Sequence, residues 1–125
     1  MLLDTCALLW LTQGGGELSA EVCKQINDEA VVYVSAISGF EIAVKCHKGK
    51  LSLPATPEDW FKVVLRHHDL QILPLDLDIC LRSINLPVIH SDPCDRFIIA
   101  TAEIHKLKVV TADSLFVQYG VSVLF

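Results

Sequence analysis

Four acidic residues are spaced along the chain so that a parallel sheet would bring them together: Asp4, Glu41, Asp95 and Asp113. Asp4 and Asp113 follow runs predicted as strands, whereas Glu41 and Asp95 fall early in predicted helices. In open α/β sheets, ligands bind beyond the carboxyl ends of the strands. If the first and fourth strands are neighbours, right-handed parallel connections place all four carboxylates at one edge of the sheet.

Carboxylates gathered this closely point to a bound cation. Like charges repel, so such a cluster usually persists because a cation occupies it, and ligands that are all oxygen favour Mg²⁺ or Mn²⁺. One or two such ions orient a water, lower its pKa and stabilise a phosphodiester during in-line displacement. We expect Thr5 and Thr111 to support the site by hydrogen-bonding the carboxylates or bound waters.

Several of these acids also have a plainer structural interpretation as helix caps. Asp4 and Asp113 stand where an N-cap belongs, and aspartate is a preferred N-cap residue. Asp92 stands directly before Pro93, which is typical of a cap followed by the first helical position. We interpret Asp92 as a cap that lies near the site.

The other two acids have alternative roles on helix surfaces. Asp95 can favour the helix dipole or pair with Arg96. Glu41 stands four residues before Lys45, the favourable order for an ion pair along a helix. Only the joint placement of the four acids at one sheet edge favours a functional site.

The surrounding sequence predicts the elements that would position these acids. Short apolar runs alternate with longer helical patterns, which favours a parallel sheet covered on both faces. Ser19, Thr56 with Pro57, and Asp92 with Pro93 each predict the start of a helix, and a further helix is predicted over Ile37–Lys48. The predicted strands are Met1–Leu3, Val31–Val34, Gln71–Leu75, Lys108–Thr111 and Val121–Leu124.

Composition limits the classes of protein that fit. The chain has 125 residues, of which 52% are hydrophobic, so we expect one domain spanning 1–125. No apolar run approaches the roughly 20 residues that cross a bilayer, so no membrane association is expected. The net charge of −5 argues against a broad basic surface for nucleic acid, but a nuclease that binds metal can take its positive charge from the ion.

The cysteines and histidines are given no chemical role. Five cysteines are an odd number without a Cys-x-x-Cys pair, which predicts neither disulfides nor structural zinc and favours a reduced, cytoplasmic setting. Cys6 and Cys94 lie near the acids but have no paired histidine by any local signature. His67 and His68 are adjacent, and the other three histidines are isolated: His47, His90 and His105. None of the five is expected to bind metal.

The predicted acids lie within four sequence blocks that together cover essentially the whole chain. The blocks are LLDTCALLW at Leu2–Trp10, SAISGFEIAVKCHKGKL at Ser35–Leu51, HSDPCDRFIIATA at His90–Ala102 and TADSLFVQYGVSVL at Thr111–Leu124. In order and spacing, these blocks resemble the PIN-domain ribonucleases of the VapC toxin type.

The resemblance implies a fold, an activity and partners. The implied fold is a three-layer α/β/α sandwich with a parallel five-stranded sheet. The implied activity is that of an Mg²⁺- or Mn²⁺-dependent endoribonuclease, a toxin blocked by the C-terminal segment of a cognate antitoxin. A homodimer or a toxin–antitoxin hetero-oligomer is expected. By similarity, Asp4 and Asp95 are the principal metal ligands, Glu41 and Asp113 complete the site, and Asp92 supports it.

The sequence departs from the family pattern without losing a carboxylate. Cys6 stands where relatives often carry His, Phe40 where Trp is frequent, and Cys94 where Phe is usual. Relatives usually have a few residues before the Leu-Leu-Asp, so a longer native N-terminus is left open.

Other classes fit less well. A receiver domain needs an acidic pair after the first strand and a Lys near the end of the fifth, yet only Asp4 follows the first strand and 121–125 has no Lys. A haloacid dehalogenase-type phosphatase needs an Asp where Cys6 stands. A PIN nuclease that is not a toxin, and a non-catalytic PIN-fold binding module, remain alternatives.

Overall fold

The central sheet has five strands, all parallel, in a computed structural model that describes residues 1–125. Each strand overlaps its predicted run, and no strand end differs from the predicted end by more than two residues. The strands are β1 (Leu2–Leu3), β2 (Val32–Ser35), β3 (Leu70–Leu73), β4 (Val109–Val110) and β5 (Val123–Leu124). Their order across the sheet is β3-β2-β1-β4-β5, which makes β1 the central strand.

Six α-helices and one 3₁₀ helix connect the strands, and the predicted caps are present. The Ser19 and Thr56 side chains accept backbone N–H bonds at the starts of two helices, as does Asp92 at a third. The helices are α1 (Thr5–Thr12), α2 (Ala20–Asp28), α3 (Ala36–His47), α4 (Pro57–His67), α5 (Leu77–Asn85) and α6 (Pro93–His105), with the 3₁₀ helix over Ser114–Tyr119.

Helix α5 was not predicted. It begins where Asp76 Oδ1 accepts the Ile79 N–H at 2.9 Å, and Ile79 is its fully buried apolar residue. An acidic cap followed three residues later by a buried aliphatic residue is the local signal that would have found it.

The core lies on both faces of the sheet. Leu3 and Val110 pack against α1 to α4, whereas Leu2 and Val109 pack against α5 and α6. All four are fully buried, and burying each such side chain contributes about 1.5–3 kcal/mol. Side chains alternate between the faces of a strand, so this pattern confirms a three-layer α/β/α sandwich.

The register of the central strands positions the acids. Leu2 pairs with Val109 and Leu3 with Val110, so β1 and β4 are direct neighbours that end at the same level. The Asp4 N–H extends this pairing by donating to the Val110 carbonyl at 3.1 Å. The condition on which the predicted acidic edge depended is therefore met.

None of the helices is long and apolar enough to span a bilayer. All five cysteines are free thiols.

Candidate metal centre at the sheet edge

Asp4 is buried at the end of the central strand, with only 6% of its surface exposed. It caps α1, because Oδ1 accepts the Ala7 N–H at 2.8 Å. Burial raises the pKa of Asp4; hydrogen bonds from Thr111 and Ala7 oppose that shift, and the charges of Glu41 and Asp113 add to it. Asp4 is therefore both a cap and a member of an acidic group.

Asp95 lies in the first turn of α6 and is the most perturbed carboxyl at this edge. Burial, followed by the charge of Asp92, raises the pKa of Asp95 to about 7. His90 opposes the shift, and Glu41 and Asp4 add to it. A carboxyl with a pKa this high lacks compensation for its negative charge, which a bound cation would supply.

Glu41 has one paired oxygen and one unpaired oxygen. The predicted ion pair is present, with Glu41 Oε2 3.2 Å from Lys45 Nζ. Oε1, however, is buried and has no hydrogen-bond partner. A buried acceptor without a donor is costly, so this oxygen is available to a cation or an ordered water.

Asp113 caps the 3₁₀ helix and faces the other acids. Its Oδ1 accepts the Leu115 N–H at 2.9 Å, and its own N–H donates to Thr111 Oγ1 at 3.0 Å. Thr111 also lowers the pKa of Asp4 through its side chain, so it acts on two of the predicted ligands.

The structure adds His90, to which the sequence assigned no role. Its Nε2 lies 2.7 Å from Asp113 Oδ2 and 3.0 Å from Asp95 Oδ2. These three atoms lie within 4.8 Å of one another, as the ligands of one metal ion would. The one sequence signal was its place just ahead of the Asp92 cap, in the segment that leads into this edge.

The supporting residues are arranged only partly as expected. Asp92 is a cap whose side chain accepts the Cys94 N–H at 2.9 Å, and its charge raises the pKa of Asp95. Thr5 instead shares a 2.9 Å hydrogen bond with Ser38, so it joins α1 to α3 and no carboxylate is its partner. The reason is that Thr5 is fully enclosed where these two helices meet.

Arg96 does not pair with Asp95. Its guanidinium turns away from the acids and donates to carbonyl oxygens of the segment before α6. The bonds of 2.8–3.1 Å go to Ser83, Leu86, Pro87 and His90. Arg96 therefore fixes the loop that carries His90.

The donor set at this edge fits a small divalent cation. Its carboxylates are hard oxygen ligands, which Mg²⁺ and Mn²⁺ prefer, and one of them has an unpartnered oxygen. A cavity of about 480 Å³ lies at the opposite edge, lined by Lys108 and Ser122, which precede β4 and β5. Chemistry, and not cavity size, identifies the acidic edge.

The chain and its fold correspond to a known family. The chain matches the family model of the PIN domain over residues 1–121, so it belongs to the PIN domain family. Among curated proteins it is 27% identical over 114 residues to Ribonuclease VapC22 of Mycobacterium tuberculosis, covering 90% of this chain and 86% of that one.

Solved structures share the same fold. FitAcB from Neisseria gonorrhoeae matches with a TM-score of 0.70 and 22% identity, over 99% of this chain and 96% of that one. VapBC2 from Rickettsia felis, bound to a promoter DNA fragment, matches with a TM-score of 0.72 and 12% identity, over 98% and 96%. A toxin–antitoxin complex from Klebsiella pneumoniae matches with a TM-score of 0.70 and 23% identity, over 99% and 95%.

Proposed function

We propose that this protein is a metal-dependent endoribonuclease, and that it acts in the cytoplasm as the toxin of a toxin–antitoxin pair. Membership of the PIN family and the similarity to a protein named a ribonuclease support the reaction class. The observation that carries the proposal is the convergence of four carboxylates at one sheet edge, with Asp95 poorly compensated and a Glu41 oxygen unpartnered. We take residues 1–125 as one catalytic domain.

In this proposal, Asp4 and Asp95 are the principal ligands of Mg²⁺ or Mn²⁺, and Glu41 and Asp113 complete the site. A bound divalent ion supplies charge compensation at the scissile phosphate and lowers the pKa of coordinated water. Thr111 positions Asp4 and Asp113 through its hydroxyl. The capping bonds hold the same two carboxylates in place before substrate arrives.

Lys45 gives the acidic edge a positive group of its own. Burial opposes the charge on Lys45, but Glu41 outweighs this and raises the pKa of Lys45, so it is a cation at neutral pH. Its side chain is 40% exposed beside the cluster. We assign it to a phosphate oxygen of the RNA, which offsets the repulsion expected for a chain of net charge −5.

The proposed partner is a cognate antitoxin, in a homodimer of the toxin or a toxin–antitoxin hetero-oligomer. The support comes from similar structures described as toxin–antitoxin complexes, among them DNA-bound VapBC from Salmonella typhimurium. Light scattering on the purified chain, alone and co-expressed with a protein encoded beside it, tests this part. A monomer in both samples would contradict it.

The central experiment measures RNA cleavage by the purified protein with Mg²⁺, with Mn²⁺ and with EDTA. We expect cleavage only with metal, and its loss in the Asp4→Asn variant. Asp76→Asn is the matched control, since Asp76 caps α5 as Asp4 caps α1 but is exposed. Asparagine preserves both caps, so folding is unaffected and any difference reflects the site.

Two outcomes would contradict the proposed function. The first is cleavage of equal rate in EDTA, which would mean that the carboxylates do not act through a metal. The second is RNA binding without cleavage under every metal condition, which would favour the binding-module alternative.

A further inference from the structure

His90 is held at the centre of the acidic edge, with its side chain only 11% exposed. Its Nε2 faces Asp113 Oδ2 at 2.7 Å and Asp95 Oδ2 at 3.0 Å. Its Nδ1 faces the Asp92 backbone N–H, with 3.2 Å between the nitrogens. Both ring nitrogens are therefore engaged.

These contacts decide which nitrogen carries the proton. A backbone N–H only donates, so Nδ1 must accept from Asp92, and the proton of a neutral ring is then on Nε2. Nε2–H then donates to Asp113 Oδ2 and lies 3.0 Å from Asp95 Oδ2. The ring thus presents a hydrogen, and not a lone pair, to the two acids.

That arrangement conflicts with metal binding on the same side of the two carboxylates. Mg²⁺ lies about 2.0–2.1 Å from its oxygen ligands, too close for an N–H group that contacts the same oxygens to remain. Nε2 would have to become a ligand or leave. To become a ligand it must give up its proton to Nδ1, where that proton would face the Asp92 N–H. Displacement of the His90 ring from the two carboxylates is therefore favoured.

The backbone around His90 is fixed, so the ring returns to this position when no ion is bound. Tyr119 Oη accepts the His90 N–H at 2.7 Å, and Arg96 donates to the His90 carbonyl at 3.1 Å. The ring also packs edge-on against Phe116, with centroids 6.2 Å apart.

We propose that His90 is a built-in competitor of the metal ion: its Nε2–H donates to Asp113 while it stands 3.0 Å from Asp95 Oδ2, and the ion binds by displacing the ring. This inference rests on the metal site of the proposed function. Its consequence is that the protein binds Mg²⁺ or Mn²⁺ more weakly than the same carboxylates would without His90.

The test measures the Kd for Mn²⁺ and for Mg²⁺ by isothermal titration calorimetry in the absence of RNA. We expect His90→Ala to bind about tenfold more tightly than the wild type, since a hydrogen bond to a charged group no longer has to break. His90→Gln keeps an N–H donor near the acids and should fall between the two. His105→Ala, an exposed histidine at the far end of α6, should leave the Kd unchanged.

The outcomes separate this inference from the proposed function. Weaker binding by His90→Ala would make His90 a ligand, and an unchanged Kd would mean that the ion binds the acidic edge without displacing the ring. Either result overturns the inference while the metal site stands. If the wild type binds no metal, or if Asp4→Asn binds as well as the wild type does, the metal site and the inference both fail.

A second measurement does not depend on a variant. Long-range ¹H–¹⁵N spectra of the metal-free wild type should show His90 protonated on Nε2, and Mg²⁺ should shift its ring signals to those of a solvent-exposed imidazole. A ring protonated on Nδ1 before metal is added would overturn the proposal.

Discussion

Helices α4 and α6 begin with the same local pattern but end up in different chemical surroundings. Each has a polar cap, a proline at the first helical position and an aspartate at the third: Thr56, Pro57 and Asp59 in α4, and Asp92, Pro93 and Asp95 in α6. Asp59 is exposed, whereas burial and the charge of Asp92 raise the pKa of Asp95 to about 7.

The difference comes from where each helix start lies against the sheet. Helix α4 packs against α3 and β3, and Asp59 at its start is exposed. At the start of α6, in contrast, the charge of Asp4 acts on Asp95, and His90 contacts both Asp95 and Asp113. The same local pattern therefore forms an ordinary helix start in one place and part of a candidate site in the other. The residues that other elements place around the aspartate decide which of the two it becomes.

The largest expected effect is on RNA cleavage. Asp95→Asn should reduce the rate by more than about 100-fold. Substitution of a residue that merely hydrogen-bonds a metal ligand already lowers metal affinity or activity by about 10–100-fold, and Asp95 is a proposed ligand itself. Asp59→Asn makes the same change at the same helical position and should keep the wild-type rate. The comparison would break if both variants lost activity equally, since the defect would then follow the helix position and not the site.

The placement of acids at one edge of the sheet could be predicted because the sequence patterns that locate strands and caps are local. Apolar runs locate the strands, and parallel strands end at one edge, so Asp4 and Asp113 could be placed together from the sequence. The caps are also local, because a cap bonds an N–H two or three residues away.

The parts of the site that the sequence missed depend on contacts between distant segments. His90 comes from a loop without periodicity, and Tyr119 and Arg96, which hold it, lie on other elements. The Thr5–Ser38 bond joins two helices, and no local pattern distinguishes it from the predicted bond to a carboxylate. The unpaired Glu41 oxygen is likewise a property of packing.

A smaller effect is expected on stability as the pH changes in EDTA. An unfolded aspartate has a pKa of about 3.9, so between about pH 4 and pH 7 folded Asp95 holds a proton that the unfolded chain has lost. The free energy of unfolding therefore falls as the pH rises through this window, by at most about 4 kcal/mol from this residue.

Denaturant titrations of the wild type and Asp95→Asn at several pH values measure that effect. The amide cannot ionise, so the variant should become the more stable of the two as the pH approaches 7, with Asp59→Asn as the control for the same substitution in α4. Added Mg²⁺ should restore the wild type at neutral pH, because an ion stabilises the folded state that binds it. A wild type that gains stability over the variant between pH 4 and pH 7 would contradict the assigned direction.

The smallest expected difference concerns the caps themselves. Thr56→Ala removes a hydrogen bond to the Asp59 N–H and should cost about 1 kcal/mol of unfolding free energy, as cap deletions do. Asp92→Ala removes a similar bond to the Cys94 N–H, but it also removes a charge that raises the pKa of Asp95. Its cost in EDTA at pH 7 should therefore be smaller, and should approach that of Thr56→Ala near pH 4, where the carboxyl of Asp95 is protonated. If Asp92→Ala lowers the unfolding free energy equally at both pH values, Asp92 acts only as a cap and its charge does not affect the Asp95 carboxyl.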